Sequence, residues 1–148
     1  MSLQLTPFIM LDGKANEAIR FYEQAFGARV VFKQTFGDAP EEENASPMSE
    51  EMKGRIAHSV LVVGGSELYV SDSEAGLQLE RGDQVNICVT VENVSEAERM
   101  YEALRPEGKV LLPLQPLYFS PAYGMVTDKF GVTFQIFTKR NDQPEGTH

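Results

Sequence analysis

Basic residues are scarce in this sequence: 13 Lys and Arg stand against 22 Asp and Glu, a formal net charge of −9. Nucleic acid and anionic membrane surfaces both select for a basic face, so this balance excludes them and leaves small molecules and other proteins as partners. Cysteine is scarcer still. The single Cys88 has no partner for an internal disulfide, and its setting, Asn86-Ile87-Cys88-Val89-Thr90-Val91, reads as a strand, in which a free thiol behaves as a small buried hydrophobe. Histidine occurs only at His58 and at the terminal His148, too few for a histidine-rich metal centre. No apolar run reaches the roughly 18 residues of a membrane span, and Met1 to Phe8 lacks the pattern of an export signal. A cytoplasmic protein is expected. Phosphate loops, CxxC pairs and Ser-His-Asp patterns are missing as well.

What is present suits one domain over residues 1–140, since 148 residues with 42% hydrophobic content can bury a sizeable single core. Residues 141–148 are expected to be a flexible tail. Gly37 to Lys53 is rich in Glu, Pro, Ser and Met, and reads as a long acidic loop, mobile in the free protein and placed to act as a lid.

An internal repeat organises the rest. Glu17-Ala18-Ile19-Arg20-Phe21-Tyr22-Glu23 recurs, without a gap, as Glu96-Ala97-Glu98-Arg99-Met100-Tyr101-Glu102. Both copies lie on helical stripes: Ala15, Ala18, Ile19, Tyr22, Ala25 and Phe26 in the first, and Val94, Ala97, Met100, Tyr101 and Leu104 in the second. Ser95-Glu96-Ala97-Glu98 has the form of a capping box, and Gly27 and Arg105-Pro106-Glu107-Gly108 mark the two stops.

Each helix follows an apolar strand, Leu5 to Leu11 or Gln84 to Val91, and precedes three more. These are Arg29 to Phe36, Ile56 to Val63 and Glu67 to Ser71 in the first copy, the last two joined at Gly64-Gly65. In the second they are Val110 to Tyr118, Gly124 to Thr127 and Val132 to Thr138, with Asp128 to Gly131 as a turn. The fold class is therefore α+β, a βαβββ unit used twice, over about residues 4–72 and 84–138.

Strand alternation divides each sheet into two faces. Leu68 and Val70, then Ile87, Val89 and Val91, then Val132, Phe134 and Ile136 make an apolar side that should meet the helices. Tyr69 and Ser71, then Asn86, Cys88 and Thr90, then Thr133 and Gln135 make the opposite side. That polar face either is solvated or lines a ligand pocket.

The repeated unit, Leu11-Asp12-Gly13 before Ala18-Ile19-Arg20-Phe21-Tyr22-Glu23-Gln24-Ala25-Phe26-Gly27, and Tyr123-Gly124-Met125-Val126-Thr127-Asp128-Lys129-Phe130-Gly131-Val132 resemble the vicinal oxygen chelate superfamily of glyoxalases, bleomycin-resistance proteins and extradiol dioxygenases. Within it they resemble the PhnB-like branch, where Gly37-Asp38-Ala39-Pro40 and the His58 strand also match. The resemblance runs from about Leu5 to Thr138 and implies a curved mixed sheet with helices outside, and commonly a homodimer. Some members of this branch carry the label of a ubiquinone methyltransferase, yet nothing in the sequence resembles a nucleotide or S-adenosylmethionine site.

In metal-dependent relatives the first and last strands of each unit carry the ligands, and the matching positions here are Pro7, Tyr69, Asn86 and Gln135. Proline offers no donor atom, and a phenol and two amides are weak ligands beside imidazole or carboxylate. The expected metal set is therefore none, and no cofactor is expected, with a divalent ion as the alternative. His58 is the candidate acid or base. Tyr69, Ser71, Asn86, Thr90, Gln135, Tyr118 and Tyr123 are the candidate ligand-binding residues, with Ser120 near the same rim. The reading that follows is a binding protein for a small organic molecule, of the glyoxalase and bleomycin-resistance type without the usual metal ligands. The alternative is a lyase or isomerase using a divalent metal or His58.

Overall fold

The computed structural model describes residues 2–38, 47–74 and 77–140, and divides into two compact units, Met1–Glu80 and Arg81–His148. In the first, β1 (Phe8–Leu11), α1 (Ala15–Phe26), β2 (Arg29–Thr35), a short α2 (Glu50–Lys53), β3 (Ile56–Val63) and β4 (Ser66–Asp72) follow in order. Its sheet runs β1-β4-β3-β2, with β1 parallel to β4 and the other pairs antiparallel. The second repeats the plan with β5 (Ile87–Val91), α3 (Val94–Leu104), β6 (Lys109–Leu117), β7 (Ser120–Thr127) and β8 (Thr133–Thr138). Here the order is β5-β8-β7-β6, with β5 parallel to β8. Each unit is thus βαβββ with its own four-stranded mixed sheet.

The period-two pattern decides which face each helix covers. In the first unit Ile9, Leu11, Leu61, Leu68 and Val70 are buried together with Ala15, Ala18, Ile19, Tyr22 and Ala25 of α1. In the second, Val91, Val126, Phe134 and Ile136 are buried with Ala97, Met100 and Leu104 of α3. Each buried Leu, Ile, Val, Phe or Met side chain among them contributes about 1.5–3 kcal/mol on leaving water. The apolar faces read from the sequence are these faces, although Ile87 and Val89, on the edge strand β5, are only half-buried.

Several local expectations are corrected. The β1 ladder starts at Phe8, and Leu3 and Leu5 before it are almost fully exposed; the Pro7 carbonyl still accepts from Tyr69 N–H at 3.0 Å. The turn between β6 and β7 is Tyr118-Phe119, so Tyr118 lies beyond the end of the β6 strand expected to include it. Cys88 is exposed, not buried, because it points to the side of β5 away from α3. The acidic segment is not structureless where it is described. Phe36–Asp38 forms a 3-10 turn in which Asp38 accepts from Thr35 N–H, which lowers its pKa, and Ser49 caps α2 by accepting from Met52 N–H. Residues 39–46 of that segment, and the expected tail 141–148, lie outside the described residues.

Arg55, just after α2, reaches Asp12 at 2.7 Å and Glu51 at 3.4 Å, and its bond to Asp12 raises its pKa. Its guanidinium lies 3.3 Å from where a Cβ on Gly13 would sit, and Gly13 holds φ +84°. The backbone conformation is what favours glycine there. At the other end of α1, Gly27 adopts the left-handed conformation and donates to Tyr22 O, which ends the helix.

The two long helices start by different means. Asn93, not Ser95, caps α3: its side chain accepts from Glu96 N–H at 2.9 Å, and Glu96 reaches back toward Glu92 N–H. The cap thus lies two residues before the expected serine. In the first copy Lys14 occupies the place of Asn93 and makes no side-chain cap. Asp72, at the end of β4 and 3% exposed, supplies the acceptor instead. Its two oxygens take Ala15 N–H and Ile56 N–H, both at 3.0 Å.

Removing this carboxylate leaves two buried N–H groups without acceptors. Asp72→Ala is expected to lower the unfolding free energy by about 3 kcal/mol, and Asp72→Asn, which keeps one acceptor, by about half of that. Asn93→Ala should cost only about 1 kcal/mol, because its groups stay near water. Urea unfolding of the three variants checks this ranking; an Asp72→Ala loss no larger than that of Asn93→Ala contradicts it.

Candidate functional site

The face of each sheet opposite its helix carries most of the candidate residues. On the first unit, Phe8 stands across from Tyr69, Val60 across from both Tyr69 and Phe32, and Gln34 across from His58. These positions share one side, and they bring four rings together. His58 lies 5.1 Å from Tyr69, 6.0 Å from Phe32 and 6.1 Å from Phe8, centroid to centroid, and Phe8 meets Tyr69 edge-on at 5.9 Å. Phe8 and Phe32 remain 49% and 47% exposed. This surface is aromatic, not the polar one expected.

The signal for it was present in the sequence. Phe8-Ile9-Met10-Leu11 is apolar without interruption, so a strand with one face under a helix must turn Phe8 and Met10 to the other side. Among the described residues the contacts of the His58 ring are these aromatic neighbours. Among the described residues no carboxylate is hydrogen-bonded to the imidazole to orient it as a general acid or base requires. Ser71, on the same side by alternation, is 1% exposed and offers a ligand no surface.

On the second unit, Tyr123, Gln135 and Asn86 form a hydrogen-bonded chain across β7, β8 and the residue before β5. Tyr123 Oη donates to Gln135 Oε1 at 2.5 Å, Gln135 Nε2 donates to Asn86 Oδ1 at 2.7 Å, and Asn86 Nδ2 donates to the Asp83 carbonyl at 3.4 Å. All three side chains are half-buried. Phe119 and Phe137 extend the chain with apolar surface: Phe119 meets Tyr123 at 5.0 Å and stacks on Phe137 at 6.2 Å. Thr90 is exposed beside Cys88, with Oγ1 3.9 Å from Sγ.

Tyr118 is set apart from Tyr123. It is 90% exposed on its turn, and with Pro121, Asn93, Lys139 and Arg140 it lines a depression of about 410 Å³ at the start of α3. Ser120 reaches the same depression, but its hydroxyl is committed to Thr138 O at 2.8 Å.

A metal ion does not fit the positions that the resemblance assigns. In the first unit Pro7 has no donor and Tyr69 is packed against rings. In the second Asn86 and Gln135 spend their facing atoms on each other. Among the described residues no group of three or more His, Cys, Asp or Glu is gathered for a cation, and no helix is long and apolar enough to cross a membrane.

Residues 3–137 match the family described as 3-demethylubiquinone-9 3-methyltransferase. Protein YjdN of Escherichia coli K12 is 28% identical over 140 residues, which cover 90% of this chain and 94% of YjdN. The crystal structure of protein PA1353 from Pseudomonas aeruginosa superposes with a TM-score of 0.82 at 33% identity, over 95% of this chain and 100% of that one. The PhnB protein of Bacillus cereus superposes with a TM-score of 0.73 at 27% identity, over 92% and 99%. A glyoxylase/bleomycin resistance protein/dioxygenase domain from Frankia sp. EAN1pec, at 10% identity and a TM-score of 0.66 over 97% and 96%, shares the fold.

The donor set leads to a direct expectation. An ion bound at a hundredfold excess over its Kd adds about 2.7 kcal/mol of stability. Zinc, nickel or manganese added to protein purified without a metal-binding tag should leave the melting temperature unmoved. A rise that a chelator reverses would show that the amides and the phenol are ligands after all.

Proposed function

Because this chain belongs to the family described as 3-demethylubiquinone-9 3-methyltransferase, in the PhnB-like branch of the glyoxalase and bleomycin-resistance class, we propose that it is a metal-independent binding protein for a small organic molecule. The observation that carries this reading is that each sheet leaves its second face open and lines it with residues suited to organic ligands. On the first unit Phe8, Phe32, His58 and Tyr69 offer ring faces and edges, of the kind that bind planar apolar groups. On the second, Tyr123, Gln135 and Asn86 offer oriented polar atoms beside Phe119 and Phe137.

His58 takes part as one ring of the platform, which is why it needs no orienting carboxylate. Methyl transfer is not part of the reading, since neither βα connection has the glycine-rich form of a nucleotide site. A homodimer belongs to the proposal, supported by β1, β2, β5 and β6, which among the described residues pair on one side only, and by exposed Val31 and Phe32 on β2. So does a cytoplasmic setting, supported by the exposed free thiol of Cys88.

Thermal-shift screening against aromatic metabolites and apolar antibiotics tests the function. A ligand at a hundredfold excess over its Kd is expected to raise the melting temperature by on the order of 5–10 °C. Phe32→Ala or Gln135→Leu should shrink that rise for the same compound. A hit whose shift survives both substitutions binds elsewhere and removes the support for these faces.

A further inference from the structure

We propose that the group bound at the Tyr123 end of the second unit's open face is a hydrogen-bond donor, an N–H or O–H carried on a planar apolar ring system, and that acceptor-only anions such as carboxylates are rejected there. The inference rests on the small-molecule reading of that face and adds the ligand's chemistry.

The direction of three hydrogen bonds carries it. The backbone carbonyl of Asp83 can only accept, and Asn86 Nδ2 donates to it. Turned over, the Asn86 amide would set its own oxygen against that carbonyl, two acceptors with no proton between them. Asn86 therefore presents Oδ1 to Gln135, and Gln135 must answer with Nε2, as it does at 2.7 Å. Gln135 Oε1 is then the atom that faces Tyr123, and the one phenolic proton is committed to it at 2.5 Å.

What Tyr123 Oη has left for a ligand is lone pairs. A ligand oxygen without a proton meets them in repulsion, or forces the phenol to rotate and leaves the half-buried Gln135 oxygen without its donor. An N–H or O–H completes the phenol instead. The surroundings select the rest of the molecule. Phe119 and Phe137 supply apolar rings, Phe137 is the direct cross-strand neighbour of Tyr123, and Cys88, Thr90 and Met125 on the same side of β5 and β7 add no charge. A net charge of −9 further disfavours anions.

Indole and benzofuran separate the donor from the ring, since they share shape and differ in carrying an N–H or a bare ring oxygen. Benzoate is the anionic arm. Each is titrated into the 15N-labelled full chain while the side-chain amide resonances of Asn86 and Gln135 are followed. Indole is expected to shift the Gln135 amide pair and to bind about tenfold more tightly than benzofuran, the value of one hydrogen bond. In Tyr123→Phe that preference should vanish while benzofuran binding is kept. Benzofuran or benzoate equalling indole at these resonances overturns the inference, as does a preference that survives in Tyr123→Phe. The comparison of probes in the unaltered protein stands even if that variant does not fold. Resonances unmoved by all three probes would instead overturn the reading of this face as a small-molecule site, a result distinct from binding without preference.

Discussion

Each unit sets one long helix against a four-stranded sheet, and a sheet has two faces. Strand residues alternate between those faces, so the helix commits half of the positions in every strand to the core and leaves the other half unconstrained by packing. Leu68 and Val70 beneath α1, and Phe134 and Ile136 beneath α3, have little freedom to change without opening a cavity. Tyr69 and Gln135, one step along the same strands, answer to no such demand. Chemistry collects on the open side because only there can a side chain change while the fold persists.

The repeat shows how far that freedom has been used. Both units keep the strand order and the parallel pairing of first and last strands, and both keep the small residues that let a helix lie close, Ala18 in one and Ala97 in the other. The open faces share little. One gathers Phe8, Phe32, His58 and Tyr69, with dispersion and ring electrostatics as its means of attraction. The other links a phenol and two amides into a chain whose polarity is set by a single backbone carbonyl. A duplicated scaffold thus carries two different chemical surfaces without a change of architecture.

Helix positions, the order of elements along the chain and the faces of Leu68, Val70, Phe134 and Ile136 are legible in the sequence, because they follow from periodicity, which is a local property. Gly27 as a helix stop and Asp128 to Gly131 as a turn were legible for the same reason. The chain from Tyr123 through Gln135 to Asn86 was not, although all three had been singled out: their meeting depends on strand register, which pairs residues far apart in the chain. The capping role of Asp72 was hidden in the same way, since its partner Ala15 lies 57 positions away. Sequence proximity groups Tyr118 with Tyr123, but Tyr118 sits on the turn in solvent and Tyr123 on the sheet. The ring cluster is hidden for a different reason. Phe8 and Phe32 look like core residues by composition, and only their strand parity places them outside.

The contrast between the two helix starts bears on the order in which the chain assembles. Asn93 lies beside the helix that it caps, so α3 can begin to form from its own neighbourhood. The first turn of α1 finds its acceptor only in Asp72, at the end of the last strand of the unit. During synthesis that carboxylate leaves the ribosome long after α1 has done so, and the entropy of closing the intervening chain must be met before the contact forms. The amino-terminal helix therefore gains its first-turn acceptor only with the end of its own unit, whereas the second long helix carries its cap beside it.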